Sequence, residues 1–266
     1  FAGLGVALFF VISGYMISQA LDRSGSLGRY ALLRAIRLWP TLLLCGTLTF
    51  LATSLLGPPE LQRSPVEAGI SVMFLPPEHV GRILGHHDWE WLDGAYWTLW
   101  VQARFFALAG LFYFLSGGRL LNGWLPFAVL GVGVHLAVIG GSTFADHVGG
   151  LLFADYQPYF TAGIGLALVV AGRRALGGGL FAAGLALALG YEWADGAGVL
   201  RLASVTLIFA LVALAVLAPR MVAIFGWGPV VAMGQASFIF YLLHQNFGLA
   251  LTDALPEMAT LPAIAA

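Results

Sequence analysis

Apolar residues in this chain come in long unbroken runs rather than in alternation with polar ones, and short clusters of arginine, glycine or proline separate the runs. A helix rises about 1.5 Å per residue, so a run of about 20 apolar residues matches the roughly 30 Å hydrocarbon layer of a bilayer. Residues 1–21 carry no charge and predict a first spanning helix. Residues 38–57, 95–118, 120–142, 156–172, 175–191, 202–219 and 234–251 predict seven more. Asp22 to Arg37 is then a polar turn, and Pro40 falls in the first turn of the second span, where a missing N–H costs little. The longest polar stretch, residues 58–94, holds six acidic residues and a short apolar patch at 70–75. It reads as an external loop with an interfacial segment. Asp146, His147 and Asp155 lie in a loop after the fourth span.

Composition agrees with this pattern. The chain has 266 residues, 60% hydrophobic and 9% charged, with mean hydropathy +0.89, against about 25% charge in a soluble domain. The fold class is all-α: a polytopic membrane helical bundle, read as a single transmembrane domain over residues 1–266. Its 35 glycines suit helices that approach closely in lipid, although no GxxxG pair stands out. A net charge of −1 gives nucleic acid no electrostatic hold. Cys45 is the one cysteine, so neither a disulfide framework nor a thiolate metal site is expected. The chain opens on Phe1 with no basic segment ahead of its first apolar run, which reads as a chain cut at its start.

Arginine placement orients the spans, because Lys and Arg in short loops favour the cytoplasmic side. With the 22–37 turn inside, Arg23, Arg29, Arg34, Arg37, Arg119, Arg173, Arg174 and Arg220 are inside, against Arg63, Arg82 and Arg201 outside. Eight crossings with both ends outside follow.

Four polar groups fall within spans: Gln102, Arg104, His135 and His244. Counted from the external ends, they share a depth of roughly 10 to 14 Å at 1.5 Å per residue. A buried arginine costs about 2.5 to 3.5 kcal/mol at a helix centre, so Arg104 should face protein or water and mark a polar cavity. His135 taken alone reads as a hydrogen-bonded core residue. Ser13 and Tyr15 are cheaply buried by bonding to carbonyls one turn back. The run from His86 to Glu90 offers ligand types without a metal-binding spacing and reads as solvated loop. Arg34 and Arg37, three apart on one helical face, suit a phosphate clamp, while topology alone also accounts for them.

Four stretches, in order, resemble the signatures of the acyltransferase 3 family of membrane O-acyltransferases: FFVISGYMIS (9–18), RAIRLWP (34–40), WTLWVQARFF (97–106) and ASFIFYLLHQ (236–245). The resemblance implies a ten-helix bundle in the bacterial inner membrane. Such an enzyme takes an acyl group, often acetyl, from cytoplasmic acyl-CoA and places it on a hydroxyl of a cell-surface glycan or lipid-linked sugar. It needs no tightly bound cofactor or metal, and its partners are membrane lipid, donor and acceptor. On that reading Gln102, Arg104 and His244 are the catalytic candidates, Arg34 and Arg37 meet the donor's phosphates, and Trp97, Tyr241 and Ser13 contact substrate. The family's first helix, with its Arg and His, would precede Phe1, and its last helix would follow this chain. The family's usual Glu in the third motif is Gln102 here, and Gln cannot act as a general base. Two other classes compete: a carrier, which predicts inverted repeats that the sequence does not display, and a catalytically silent relative acting as a partner subunit.

Overall fold

A computed structural model describes residues 2–254. Its twelve α-helices, among the described residues, are α1 (Ala2–Ser24), α2 (Leu27–Leu56), α3 (Pro65–Val72), α4 (Pro77–Leu84), α5 (Trp97–Leu115), α6 (Leu120–Ile139), α7 (Thr143–Leu152), α8 (Gln157–Val170), α9 (Arg174–Ala194), α10 (Val199–Leu217), α11 (Gly228–Leu243) and α12 (Asn246–Ala254). Six of them, α1, α2, α5, α6, α9 and α10, are long and apolar enough to cross a membrane. The fold is a polytopic membrane helical bundle.

Several boundaries differ from the sequence reading. The predicted polar turn at 22–37 shrinks to Gly25 and Ser26, where Gly25 takes φ +70°. Ser26 accepts the N–H of Arg29 through its hydroxyl and so starts α2 there. Arg29, Arg34 and Arg37 therefore ride on the first turns of a 30-residue helix, and Pro40 sits in its interior. The predicted fifth span is the 14-residue α8. Every residue from Gln157 to Ala167 is buried, so α8 is surrounded by protein and need not match a lipid thickness. The predicted eighth span breaks at His244 and Gln245 into α11 and α12. Residues 143–152, expected in a loop, form α7, whose N-terminus Ser142 caps through its hydroxyl.

The chain forms two compact units. The first comprises residues 1–30 and 106–224 and is built around α8, which packs on α1 and α9. Close approach rests on glycines from different helices. A Cβ on Gly163 would strike the backbone of α1 at Val11, Gly14 and Tyr15, and one on Gly165 would meet the backbone of α9 at Gly177 and Phe181. No single helix carries the motif, which is why a search for GxxxG pairs misses it. Phe10, Phe153 and Phe160 fill the core beside this contact.

The second unit comprises residues 31–105 and 225–266, of which 255–266 lie outside the described residues. Its core gathers Leu42 and Cys45 of α2, Leu92, Tyr96 and Leu99 around the start of α5, and Leu242 of α11. The stretch 58–94 belongs to this unit and carries the short helices α3 and α4. Ser64 and Glu67 form a capping box at the start of α3, and the Glu67 carboxylate also accepts the Glu90 N–H. Ser71 accepts the Leu92 N–H at 3.0 Å, and Trp39 of α2 donates its indole N–H to the Val72 carbonyl. Glu67, Ser71 and Asp93 are all buried.

Candidate functional site

The second unit brings two of the four sequence signatures together. Tyr241, near the end of α11, donates its hydroxyl to the Ala95 carbonyl at 2.7 Å, and the Thr98 hydroxyl is hydrogen-bonded to the same phenol oxygen. Tyr96 reaches back to the Leu242 carbonyl at 3.5 Å. The WTLWVQARFF and ASFIFYLLHQ stretches thus share an interface at the first turn of α5.

A residue outside both motifs secures this junction. Asp93 is fully buried, and its two carboxylate oxygens accept one backbone amide each, Ala95 N–H just before α5 and Asn246 N–H at the start of α12. Two helix N-termini thereby share one anion, which their amide ends stabilise. Asn246 in turn donates its side-chain amide to the Leu92 carbonyl. Burial pushes the Asp93 carboxyl above the ordinary carboxylate range; the amides of Ala95 and Asn246 pull it partly back down. In the sequence Asp93 falls in the 58–94 stretch that reads as an external loop. The available signal was an Asp a few residues ahead of an apolar helix start, a common capping arrangement.

The capture of Asn246 also explains the break in the predicted eighth span. The chain must turn at His244 and Gln245 to present the Asn246 amide to Asp93. His244 is consequently exposed at the helix end rather than in a buried layer. Its Nδ1 lies 2.8 Å from the Tyr241 carbonyl. A carbonyl only accepts, so Nδ1 carries the proton and Nε2 of the neutral ring keeps its lone pair. Gln245 packs its amide against Gly94, where a Cβ would collide with it.

Gln102 is buried on α5. Arg104 is half-buried, donates Nε–H to the Trp100 carbonyl at 3.3 Å, and holds its guanidinium 4.6 Å from the Trp100 ring centroid. That is a cation–π contact on its own helix. Trp97 is half-buried at the start of α5. Arg34 is half-buried and Arg37 exposed on α2. Ser13 is buried in α1, in the first unit.

His135 is buried on α6. It belongs to the first unit, where its Nδ1 bonds the Asp155 carboxylate at 2.8 Å and its ring stacks on Tyr191. This is the hydrogen-bonded core role that its sequence position alone suggested. The His86 to Glu90 run also has local partners: His86 stacks on Trp89, and Glu90 pairs with Arg63. Among the described residues no group of three or more His, Cys, Asp or Glu is placed to hold a metal.

Comparison with known proteins supplies what the geometry alone does not. A family model described as an acyltransferase domain matches residues 1–265. An O-acetyl transferase of Shigella phage Sf6 is 29% identical over 142 residues, which is 52% of this chain and 41% of that protein. The chain thus aligns with less than half of the phage protein's length. No solved structure matches. With a family model covering nearly every residue, the chain belongs to the acyltransferase 3 family.

Proposed function

We propose that the protein is a membrane O-acyltransferase that moves an acyl group, acetyl in the simplest case, from acyl-CoA to a hydroxyl of a cell-surface glycan or lipid-linked sugar, in the inner membrane of a bacterium. The observation that carries this reading is the fastening of the third and fourth family motifs to each other through Tyr241, Thr98 and Ala95, within a chain that the family model matches almost end to end.

In the reaction, the acceptor oxygen bonds to the thioester carbonyl carbon and the C–S bond breaks. The hydroxyl proton passes to a base and the CoA thiol leaves. His244 suits the base, because its Nδ1 proton is committed to the Tyr241 carbonyl and its Nε2 is left to accept. Arg104 is the cation on the same signature as Gln102 and suits the developing oxyanion. Arg34 and Arg37, one helical turn apart on α2, are the proposed contacts for donor phosphate. The test is incorporation of label from [14C]acetyl-CoA into base-labile esters in membranes carrying the complete gene product. Absence of ester label at matched expression overturns the reading.

A second reading, that of a catalytically silent partner subunit, is favoured by one observation: Gln102 is an amide at a buried position where the family motif usually has a carboxylate. Gln102→Glu separates the two. Ester formation that appears only in the Glu variant supports the silent subunit, and activity already present with Gln102 refutes it.

A further inference from the structure

The first unit contains a cavity of about 670 Å³ that three of the four motifs do not reach and the first reaches only through Ser18. Gln19 and Asp22 of α1, Tyr113 of α5, Arg119, Asn122 of α6 and Arg173 contribute its polar lining, and the C-terminal half of α8 gives it an apolar wall. The cavity lies at the end of the unit where the arginine-bearing connections 116–119 and 171–173 meet the end of α1. Leu4, near the opposite end of α1, lines a different pocket with Leu200 and Arg201 of α10.

Two features define what it would hold. Arg119 and Arg173 come from separate connections, and among the described residues neither guanidinium has an ion-pair or hydrogen-bond partner. Two guanidinium groups directed to one cavity repel each other unless an anion lies with them, and their planar forks match phosphate oxygens. The one carboxylate present, Asp22, accepts the Tyr113 hydroxyl at 2.8 Å. It leaves the lining with one net positive charge. The volume is the second feature. It falls in the roughly 300 to 1,000 Å³ range of organic-ligand sites and far exceeds the need of a lone phosphate ion. Polar groups at one side and the apolar α8 wall at the other suit a phosphate ester with a flat organic body.

We propose that this cavity binds the phosphorylated adenosine end of the acyl donor, an inference that rests on the reading of acyl-CoA as donor. Acyl-CoA carries its phosphates, a 3′-monoester and a 5′-diphosphate, on that end, and the cavity is tested separately from the pair at Arg34 and Arg37. Arg119 and Arg173 hold phosphate oxygens, Asn122 and Gln19 offer hydrogen bonds, and the α8 wall takes the base.

The test uses the complete protein in lipid nanodiscs, with adenosine 3′,5′-bisphosphate as the probe and isothermal titration as the readout. Arg119→Gln/Arg173→Gln should weaken probe binding at least tenfold and raise the KM for acetyl-CoA with kcat little changed. Arg119→Lys/Arg173→Lys keeps the charges that orient the loops; it should insert normally and still bind several-fold more weakly, which keeps the test available if the Gln pair fails to insert. Equal probe binding by wild type and both variants overturns the inference. Loss of the probe signal when phosphatidylglycerol replaces phosphatidylcholine in the nanodisc overturns it in favour of a lipid phosphate. Probe binding that depends on these arginines, in a protein that transfers no acetyl group, would leave the cavity as a nucleotide site and remove the donor reading. Acetyl transfer with an unchanged KM in the variants would do the reverse.

Discussion

The carboxylate of Asp93 accepts the backbone N–H of Asn246 at 2.9 Å, across 153 positions of sequence. Its other oxygen takes the Ala95 N–H, so one buried side chain fixes where α5 begins and where α12 begins. The positions of Tyr241 and His244 follow from this, because both lie on the segment that must end at Asn246.

Asp93→Asn tests that dependence. An amide keeps one acceptor oxygen and turns an NH2 toward the other backbone N–H, leaving a buried donor facing a donor. Such an unsatisfied group costs about 1 to 3 kcal/mol. The variant should unfold at lower temperature in detergent than wild type, with Asn246 amide exchange accelerated. Unchanged melting and exchange would show that Asp93 does not fasten the junction.

In the first unit, Gly163 sits where a Cβ would strike the backbone of α1, whereas a Cβ on Gly179 of α9 would meet nothing within 4 Å. Gly163→Val should therefore force α1 and α8 apart at a cost of about 1 to 3 kcal/mol, as overpacking does. Gly179→Ala should be neutral or stabilising by up to about 1 kcal/mol, the helix-propensity gain. Thermal unfolding of the two variants beside wild type decides it, and equal stability for both would refute the close α1–α8 contact.

The runs of apolar residues made the class and the long helices readable, because lipid demands internally bonded backbone over a fixed thickness. The same rule failed for α8. Its residues are apolar because they are buried in protein, and such a helix is free to be shorter than the bilayer. Arg29, Arg34 and Arg37 were visible, but charge alone does not mark the end of a helix, so the cap at Ser26 and the interior place of Pro40 were missed. Gln102, Arg104 and His244 were visible as polar candidates in apolar surroundings. Asp93 and Asn246 were not, since their importance lies in a contact between distant segments that no local pattern encodes.

Native Cys45 is buried, so single added cysteines report topology without background. Glu60 is exposed in the connection after α2, and Gly28 is exposed on its first turn with open space for a side chain. Both avoid the caps at Ser64 and Ser26. From the arginine distribution, a membrane-impermeant maleimide applied to intact cells should label Glu60→Cys and spare Gly28→Cys. The reverse pattern would invert the orientation, and with it the side from which the donor is proposed to enter.

Arg34 and Arg37 admit two explanations with different chemistry. If they only orient α2, any positive charge serves, and Arg34→Lys/Arg37→Lys in the complete protein should insert and turn over like wild type. If they hold donor phosphate, the planar guanidinium forks matter, since a lysine ammonium offers a point charge with no bidentate geometry. Each lost charged contact then weakens the donor complex by about 1.5 to 3 kcal/mol, which is a rise in the KM for acetyl-CoA of roughly ten- to hundredfold per contact. Arg37 is exposed and Arg34 half-buried, so the Arg37 change should perturb folding least and is the cleaner single variant. At matched membrane expression, an unchanged KM in the double Lys variant would assign both arginines to orientation alone, and the donor's phosphates would have to be sought elsewhere in the protein.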